Sequence, residues 1–115
     1  MRILLDENIP VQLRNALGQH DVASVNDTTL GWKNISNGRL LAEMEGRFDL
    51  LITSERNIYA QQNLAGRNVS ILVVPTNRRN DVLALAPRIA TAIDAMTAGQ
   101  YAVLEKSGAF QITQL

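Results

Sequence analysis

Short runs of apolar residues alternate along this chain with longer segments in which apolar residues recur every three or four positions. The short runs are rich in Leu, Ile and Val, which is typical of strands buried on both faces of a parallel sheet. They predict four strands, at residues 2–5, 21–25, 48–52 and 70–74. The last of these runs is the richest in β-branched residues, which favours a place at the centre of the sheet for it.

Helical periodicity fills most of the chain between these strands. It predicts helices at residues 9–17, 37–45, 58–64, 81–86 and 87–98. Ser36 or Asn37 can cap the second helix. Strands that alternate with helices predict one α/β domain over residues 1–115, with three layers and a mostly parallel sheet of four or five strands. Residues 101–115 alternate only weakly, which predicts a C-terminal edge strand or hairpin.

Composition excludes several classes of protein. The chain has no cysteine, which rules out a disulfide scaffold, a zinc-thiolate site and a thiol nucleophile. No apolar run approaches the roughly 20 residues of a membrane span, and early acidic residues do not fit a secretory signal. We therefore expect a cytoplasmic protein with no membrane partner. Eleven basic residues balance eleven acidic ones, so any contact with nucleic acid needs a local patch, for which Arg78 and Arg79 are the nearest candidate.

Acidic residues directly follow two of the predicted strands. Asp6 and Glu7 come after the first strand, and Glu55 comes after the third. Groups at the carboxyl ends of parallel strands face the crevice where ligands bind. Neighbouring residues of an extended chain point to opposite faces, so only one of the first two acids enters that crevice, and we expect Asp6. The same position also allows Asp6 or Asn8 to cap the first helix.

Two carboxylates at neighbouring strand ends are enough to hold a Mg²⁺ or Mn²⁺ ion that takes its other ligands from water and phosphate. This arrangement suits phosphodiester cleavage. The spacing also fits Glu55 as a solvated loop acid paired with Arg56. An amide cluster, Gln61 to Asn63, is suited to contact phosphate, sugar or base, or to solvate its own helix.

Four segments together resemble a small family of bacterial PIN-like proteins. They are LLDENIP from Leu4, NGRLL from Asn37, FDLLITSERN from Phe48 and QQNL from Gln61. PIN domains are metal-dependent nucleases in which acids at strand ends bind Mg²⁺ or Mn²⁺. Many are VapC-type toxins that an antitoxin neutralises, and such toxins commonly dimerise. The resemblance therefore implies a three-layer PIN-like fold and a nuclease activity.

Residue by residue, the resemblance implies that Asp6 and Glu55 are the catalytic metal ligands. Glu55 stands where the family usually has an Asp, and its side chain is one methylene longer. Asn37 lies at the helix start where PIN enzymes commonly carry an acid, so its carbonyl oxygen is a further candidate ligand. Substrate contacts are then expected from Thr53, Asn57, Gln61, Gln62 and Asn8.

The function implied is a Mg²⁺- or Mn²⁺-dependent ribonuclease that is the toxin of a toxin–antitoxin pair. RNA, an antitoxin protein and a second copy of the chain are the expected partners. The alternative is a catalytically degenerate PIN-fold module that binds RNA or a protein without turnover. A response-regulator receiver domain also carries acids after its first strand, but it needs an Asp after its third strand and a later Lys. This chain has Glu55 there and no lysine between Lys33 and Lys106, so we set that reading aside.

Overall fold

Within residues 1–58, 64 and 66–115, which the computed structural model describes, a six-stranded sheet forms the middle layer of the protein. The strands are β1 (Arg2–Leu5), β2 (Asp21–Ser24), β3 (Leu50–Thr53), β4 (Ser70–Val73), β5 (Gln100–Leu104) and β6 (Phe110–Gln114). Their order across the sheet is β2-β1-β3-β4-β5-β6. The first five strands run parallel and β6 runs antiparallel to β5. The α/β class and the mostly parallel sheet are thus confirmed.

The expected strand number, four or five, is wrong for the described sheet, because the weakly alternating residues 101–115 contribute to two strands. β5 joins β4 in parallel, and β6 returns beside β5 as the predicted hairpin. Several apolar side chains of this hairpin, such as Tyr101, Phe110 and Ile112, are only half buried. Their hydrophobic pattern is therefore weaker than that of the inner strands. The central position predicted for β4 is confirmed, since β3 and β4 are the middle pair.

Helices cover both faces of the sheet. They are a 3₁₀ helix (Val11–Leu17), α1 (Asn37–Met44), α2 (Arg79–Ala84) and α3 (Ala86–Ala95). The 3₁₀ helix, α2 and α3 contribute to the apolar layer on one face, and α1 to the layer on the other. As predicted, Ser36 caps α1, its hydroxyl accepting a hydrogen bond from the Arg39 N–H at 3.3 Å. The helix predicted over residues 58–64 falls mostly outside the described residues. No helix in the described part of the chain combines the length and apolar character that crossing a membrane requires.

Alternate residues of the inner strands enter the two apolar layers in turn. In β1, Ile3 and Leu5 lie in the layer shared with the 3₁₀ helix and α3, whereas Leu4 lies in the layer of α1. All three side chains are fully buried. The same period of two directs Asp6, just beyond β1, and Thr53, the last residue of β3, to the α1 face. The fold therefore places these two polar residues side by side.

Trp32 anchors the long loop at residues 26–36. Its side chain is buried in the α1 layer and meets the ring of Phe48 edge-on, with 5.7 Å between ring centroids. The guanidinium carbon of Arg47 lies 4.8 Å from the Trp32 ring centroid, within range of a cation–π contact. The single tryptophan is thus a packing residue that fixes the loop following β2.

An ion pair joins the beginnings of β1 and β3. The Asp49 carboxylate accepts hydrogen bonds from the Arg2 N–H at 2.7 Å and from the Arg2 guanidinium at 3.2 Å. These bonds hold the pKa of Asp49 below its ordinary value of 3.8, and the bond from the Arg2 side chain has the largest effect. Both side chains retain a large exposed fraction, 48% and 39%. The stabilisation from this pair is therefore small.

Because the pKa of Asp49 is lower in the folded protein than in the unfolded chain, its stabilisation is present above about pH 4 and is lost as the pH falls through the lowered pKa. We expect Asp49→Asn to reduce the free energy of unfolding by less than about 1 kcal/mol near neutral pH. The difference from the parent chain should shrink at about pH 2. Urea denaturation at both pH values measures it. Asp94→Asn, at an exposed position of α3, is the control. If Asp49→Asn lowered the free energy of unfolding equally at both pH values, the prediction would be wrong.

Candidate functional site

Asp6 lies at the carboxyl end of β1, where its side chain is 7% exposed. Its backbone N–H donates to the carbonyl of Ile52 at 2.9 Å, so the chain is still held to β3 at this point. One carboxylate oxygen accepts a hydrogen bond from the Thr53 hydroxyl at 2.7 Å, and the other accepts one from the Glu7 N–H at 2.8 Å. Glu7 itself is exposed. Of the two adjacent acids, only Asp6 is therefore enclosed by the fold.

Thr53 connects the ends of β1 and β3. It has no exposed surface, and its hydroxyl accepts a hydrogen bond from the Glu55 N–H at 3.1 Å while donating to Asp6. One hydroxyl thus fixes both the Asp6 carboxylate and the start of the turn that carries Glu55. Because Thr53 is completely buried, water does not compete for its hydroxyl, and the bond to Asp6 orients the carboxylate.

Glu55 is half buried in the turn that follows β3. One of its carboxylate oxygens accepts a hydrogen bond from the Asn57 N–H at 3.0 Å, so the side chain stabilises its own turn. Arg56 does not pair with it and instead lies 3.7 Å from the carboxylate of Glu105. Among the described residues, no ion pair involves Glu55.

The segment after Asp6 is held by asparagine side chains. The side-chain oxygen of Asn8 accepts from the Ser54 N–H at 3.4 Å, which joins the loop after β1 to the loop after β3. The Asn26 amide donates to the Glu7 carbonyl at 3.1 Å, which ties it to the loop after β2. The N-cap position of the 3₁₀ helix is Pro10, with no side-chain hydrogen bond. The alternative in which Asp6 or Asn8 caps that helix is therefore wrong.

An ion pair also stiffens the loop after β2. The guanidinium of Arg14 donates to both oxygens of Asp27 at 3.0 Å, and the Ser24 N–H donates to the same carboxylate at 2.9 Å. Burial raises the pKa of Asp27, but the hydrogen bonds from Ser24 and Arg14 outweigh it, so the pKa is lowered overall. Asp27 is therefore more acidic than an ordinary aspartate, and its carboxylate is paired with Arg14.

A shallow open groove of about 460 Å³ lies at this edge of the sheet, lined in part by Glu7 and Asn8, which follow Asp6 in the chain. Its polar lining includes Glu7, Asn8, Asn26, Asn77 and Arg79. The sequence did not single out Asn26 or Asn77. The available signal was their position, because each follows the carboxyl end of a strand, but a single Asn after a strand is common in turns.

The remaining predicted site residues are less closely connected to Asp6. Asn37 is the first residue of α1 and is half buried, and no hydrogen bond joins its side chain to Asp6 or Glu55. Gln61 and Gln62, with the neighbouring Asn63, lie outside the described residues. Hydrogen bonds thus connect Asp6, Thr53, Glu55 and the backbone of Asn57 in turn, and the Asn8 side chain bonds to the neighbouring Ser54.

No group of three or more His, Cys, Asp or Glu side chains that could hold a metal is present among the described residues. Asp6 is nevertheless unusual, as the one acidic side chain among the buried residues of the described chain. It also has no Lys or Arg partner there. Buried charges are normally paired with an opposite charge or coordinated to a metal. Asp6 is therefore a buried acid held by two hydrogen bonds and by no ion pair among the described residues.

Exposed cations surround the same edge of the sheet. Arg78 and Arg79 follow β4, and Lys106 follows β5. Lys33 lies in the loop after β2, and Arg39 lies in the first turn of α1, which begins on this side. None of the five forms an ion pair with an acid in the described part of the chain. We call these residues the edge cations.

Comparisons with known proteins found no matching family model, no matching curated protein and no matching solved structure.

Proposed function

We propose that this chain is a PIN-like, Mg²⁺- or Mn²⁺-dependent ribonuclease that acts at the carboxyl edge of the sheet. The observation that carries the proposal is the buried Asp6 carboxylate, which the Thr53 hydroxyl orients and no cation among the described residues neutralises. In this proposal, Asp6 would hold a divalent ion, whose positive charge would offset that of the carboxylate. The PIN-like resemblance of the sequence points to the same residue.

The donor atoms fit a hydrated magnesium ion. Each Asp6 oxygen accepts one hydrogen bond from the protein, whereas a carboxylate has about four acceptor positions, so lone pairs remain for a metal. Mg²⁺ usually keeps several waters and uses one or two carboxylates together with substrate phosphate. Asp6 would be the first ligand in this proposal, and Glu55, one of whose carboxylate oxygens accepts no hydrogen bond from Asn57, would be the second. When bound, such an ion activates water and offsets charge on the phosphate.

The edge cations support RNA as the substrate. The chain is neutral overall, but Lys33, Arg39, Arg78, Arg79 and Lys106 place positive charge that is in no ion pair among the described residues at the edge of the sheet where Asp6 lies. Phosphate contacts from Lys and Arg supply most of the sequence-independent affinity for nucleic acid. The asparagines of the groove add amide groups suited to phosphate or base. On the basis of the same resemblance, we also propose that the chain acts as a toxin in the cytoplasm and that an antitoxin protein inhibits it.

The direct test is incubation of the purified chain with labelled single-stranded RNA in Mg²⁺, in Mn²⁺ and in EDTA. We expect cleavage with either metal and none with EDTA. The binding of Mn²⁺ alone, followed by titration calorimetry, should be detectable without RNA. Absence of both cleavage and Mn²⁺ binding would refute the proposal.

A second candidate, a PIN-fold module that binds RNA without cleaving it, is favoured by a different observation. Both Asp6 oxygens and one Glu55 oxygen already accept hydrogen bonds from the protein, and no third acid joins them in the described residues. This candidate predicts RNA binding that EDTA leaves unchanged and no cleavage with any metal.

Both candidates predict that the edge cations bind phosphate. We expect the double variant Arg78→Ala/Arg79→Ala to weaken RNA binding and to lower the slope of log affinity against log salt by about 0.7 for each phosphate that the protein no longer neutralises. Fluorescence anisotropy across a salt series measures both. The control is Arg47→Ala/Arg67→Ala, which removes the same charge from the other end of the sheet, with thermal unfolding to check that loss of the Trp32 and Glu45 contacts leaves the fold intact. Equal reductions in the two double variants would indicate an effect of net charge rather than of local phosphate binding.

A further inference from the structure

Strand β6 is an edge of the sheet, since β5 alone pairs with it among the described strands. The Leu115 N–H donates to the Gly99 carbonyl at 2.8 Å, which fixes the hydrogen-bonding phase of the β5–β6 ladder. Residues of an antiparallel strand alternate between directing their backbone groups toward the partner and away from it. Odd-numbered residues of β6 therefore face β5. The residues that direct both backbone groups outward are Phe110, Ile112 and Gln114.

This edge carries none of the features that usually protect a free strand. Exposed edges are commonly blocked by charged side chains, proline or a bulge. Residues 107–115 contain no charged residue and no proline, and β6 pairs with β5 in five consecutive regular positions. The opposite edge, β2, has four residues and begins at the exposed Asp21. β6 is therefore the edge at which a further strand can add.

The hairpin that presents β6 contacts α3 through both polar and apolar side chains. The guanidinium of Arg88, on α3, donates to the Ser107 carbonyl at 2.7 Å. Gly108 has φ +93°, and a Cβ at that position would collide with the same guanidinium. Phe110 and Ile112 also pack against the apolar layer that contains α3. Together with the regular pairing to β5, these contacts hold the outward backbone groups of β6 in an extended strand.

We propose that β6 pairs antiparallel with β6 of a second copy of this chain, which joins the two sheets across a two-fold axis. With the axis at Ile112, this residue faces its own equivalent and Phe110 faces Gln114 of the second copy. Each of these facing pairs exchanges two backbone hydrogen bonds. If the pairing is shifted by two residues, fewer of Phe110, Ile112 and Gln114 face a residue of the other β6 strand. The arrangement is an isologous contact, the type found in most homodimers.

Three properties of the strand favour a second copy as the occupant. Its lack of charge means that self-pairing places no like charges opposite one another. The half-buried Phe110 and Ile112 of each copy meet on the α3 side and extend that apolar layer. The same register places Leu115 of the second copy opposite Ala109, beside a groove of about 350 Å³ that is also lined by Val103, Glu105, Phe110 and Gln111.

The mass of the unmodified chain in solution is the first test. Sedimentation equilibrium over a range of concentrations should reach twice the 12.7 kDa of the chain. A mass that stays at one chain throughout would overturn the proposal. Because β6 is at the far side of the sheet from β1, this result is independent of RNA cleavage, and either proposal can fail without the other.

A disulfide cross-link tests the register, and the absence of native cysteine makes the result unambiguous. Ile112→Cys brings two Cα atoms to about 5.5 Å, within disulfide range. Oxidation should convert most of it to a covalent dimer on a non-reducing gel. In this register residue 111 lies two residues away from residue 111 of the second copy. Their Cα atoms are then farther apart than the roughly 7 Å that a disulfide can span, so Gln111→Cys should link poorly. Asp94→Cys, exposed on α3, controls for random collision. Equal cross-linking of all three variants would overturn the proposed pairing.

Discussion

Replacing Asp6 with Asn is expected to reduce metal-dependent RNA cleavage at least about 100-fold, because even groups that only orient a metal ligand commonly contribute 10- to 100-fold. The change removes the negative charge and leaves the shape of the side chain. The amide oxygen can still accept from the Glu7 N–H, and the Thr53 hydroxyl can turn to accept from the amide nitrogen. Initial rates at saturating Mg²⁺, compared with thermal unfolding of the same samples, separate catalysis from stability.

Asp21→Asn is the matched control for Asp6→Asn, because Asp21 is exposed at the amino end of β2. Its cleavage rate should equal that of the parent chain. Thr53 offers a second comparison, since Thr53→Ser keeps the hydroxyl that donates to Asp6 and Thr53→Val removes it. We expect the valine variant to need more Mg²⁺ for half-maximal rate and the serine variant to behave normally. Cleavage by Asp6→Asn within twofold of the parent rate would exclude Asp6 as a metal ligand.

Replacing Leu51 with Ala should lower the free energy of unfolding by about 2–5 kcal/mol, the usual cost of truncating a fully buried leucine. Leu51 is fully buried in β3, where it pairs with Leu4 of β1 and Ile71 of β4. Domains of this size are stable by about 5–15 kcal/mol, so this single change removes a large share of the total. Urea denaturation followed by circular dichroism measures the loss as a lower midpoint.

Leu83→Ala is the control for this stability prediction. Leu83 is a half-buried residue of α2, so the same truncation there opens less of a cavity and should cost clearly less. Leu51 precedes Thr53 by two residues on the same face of β3, and its loss should therefore also disturb the Thr53–Asp6 hydrogen bond. Similar losses in the two variants would mean that the α1 layer can close around the space that Leu51 leaves.

The inner strands were predictable because their cause is local. Leu50, Leu51 and Ile52 form part of a continuous apolar run, as do Ile71 to Val74, and a strand covered on both faces requires that pattern. The hairpin was less clear because its half-covered residues do not need a strong pattern. The expected helical segment at residues 9–17 is a 3₁₀ helix over Val11–Leu17, since periodicity marks the buried face but does not distinguish the two helix types clearly over so short a length.

The candidate site was likewise predictable only in part. The sequence predicted that Asp6 and Glu55 follow strand ends, and alternation along the strand distinguished the buried Asp6 from the exposed Glu7. It did not reveal that the Glu55 carboxylate bonds to the Asn57 N–H, that Arg56 turns to Glu105, or that the Thr53 hydroxyl links the two strands. These contacts depend on side-chain direction after each strand ends, where no periodicity constrains the chain.

The sequence by itself determined the α/β class, the positions of the inner strands and the placement of acids at two strand ends, because burial imposes a repeating pattern on neighbouring residues. Only the tertiary structure decided that β1 lies between β2 and β3, which brings Asn8 and Asn26 around Asp6. It also decided that β6 is an open edge and which of its backbone groups face outward. Strand order and the hydrogen-bonding pattern depend on contacts between residues far apart in the chain. The hydrophobic periodicity of a single segment therefore cannot predict either of them.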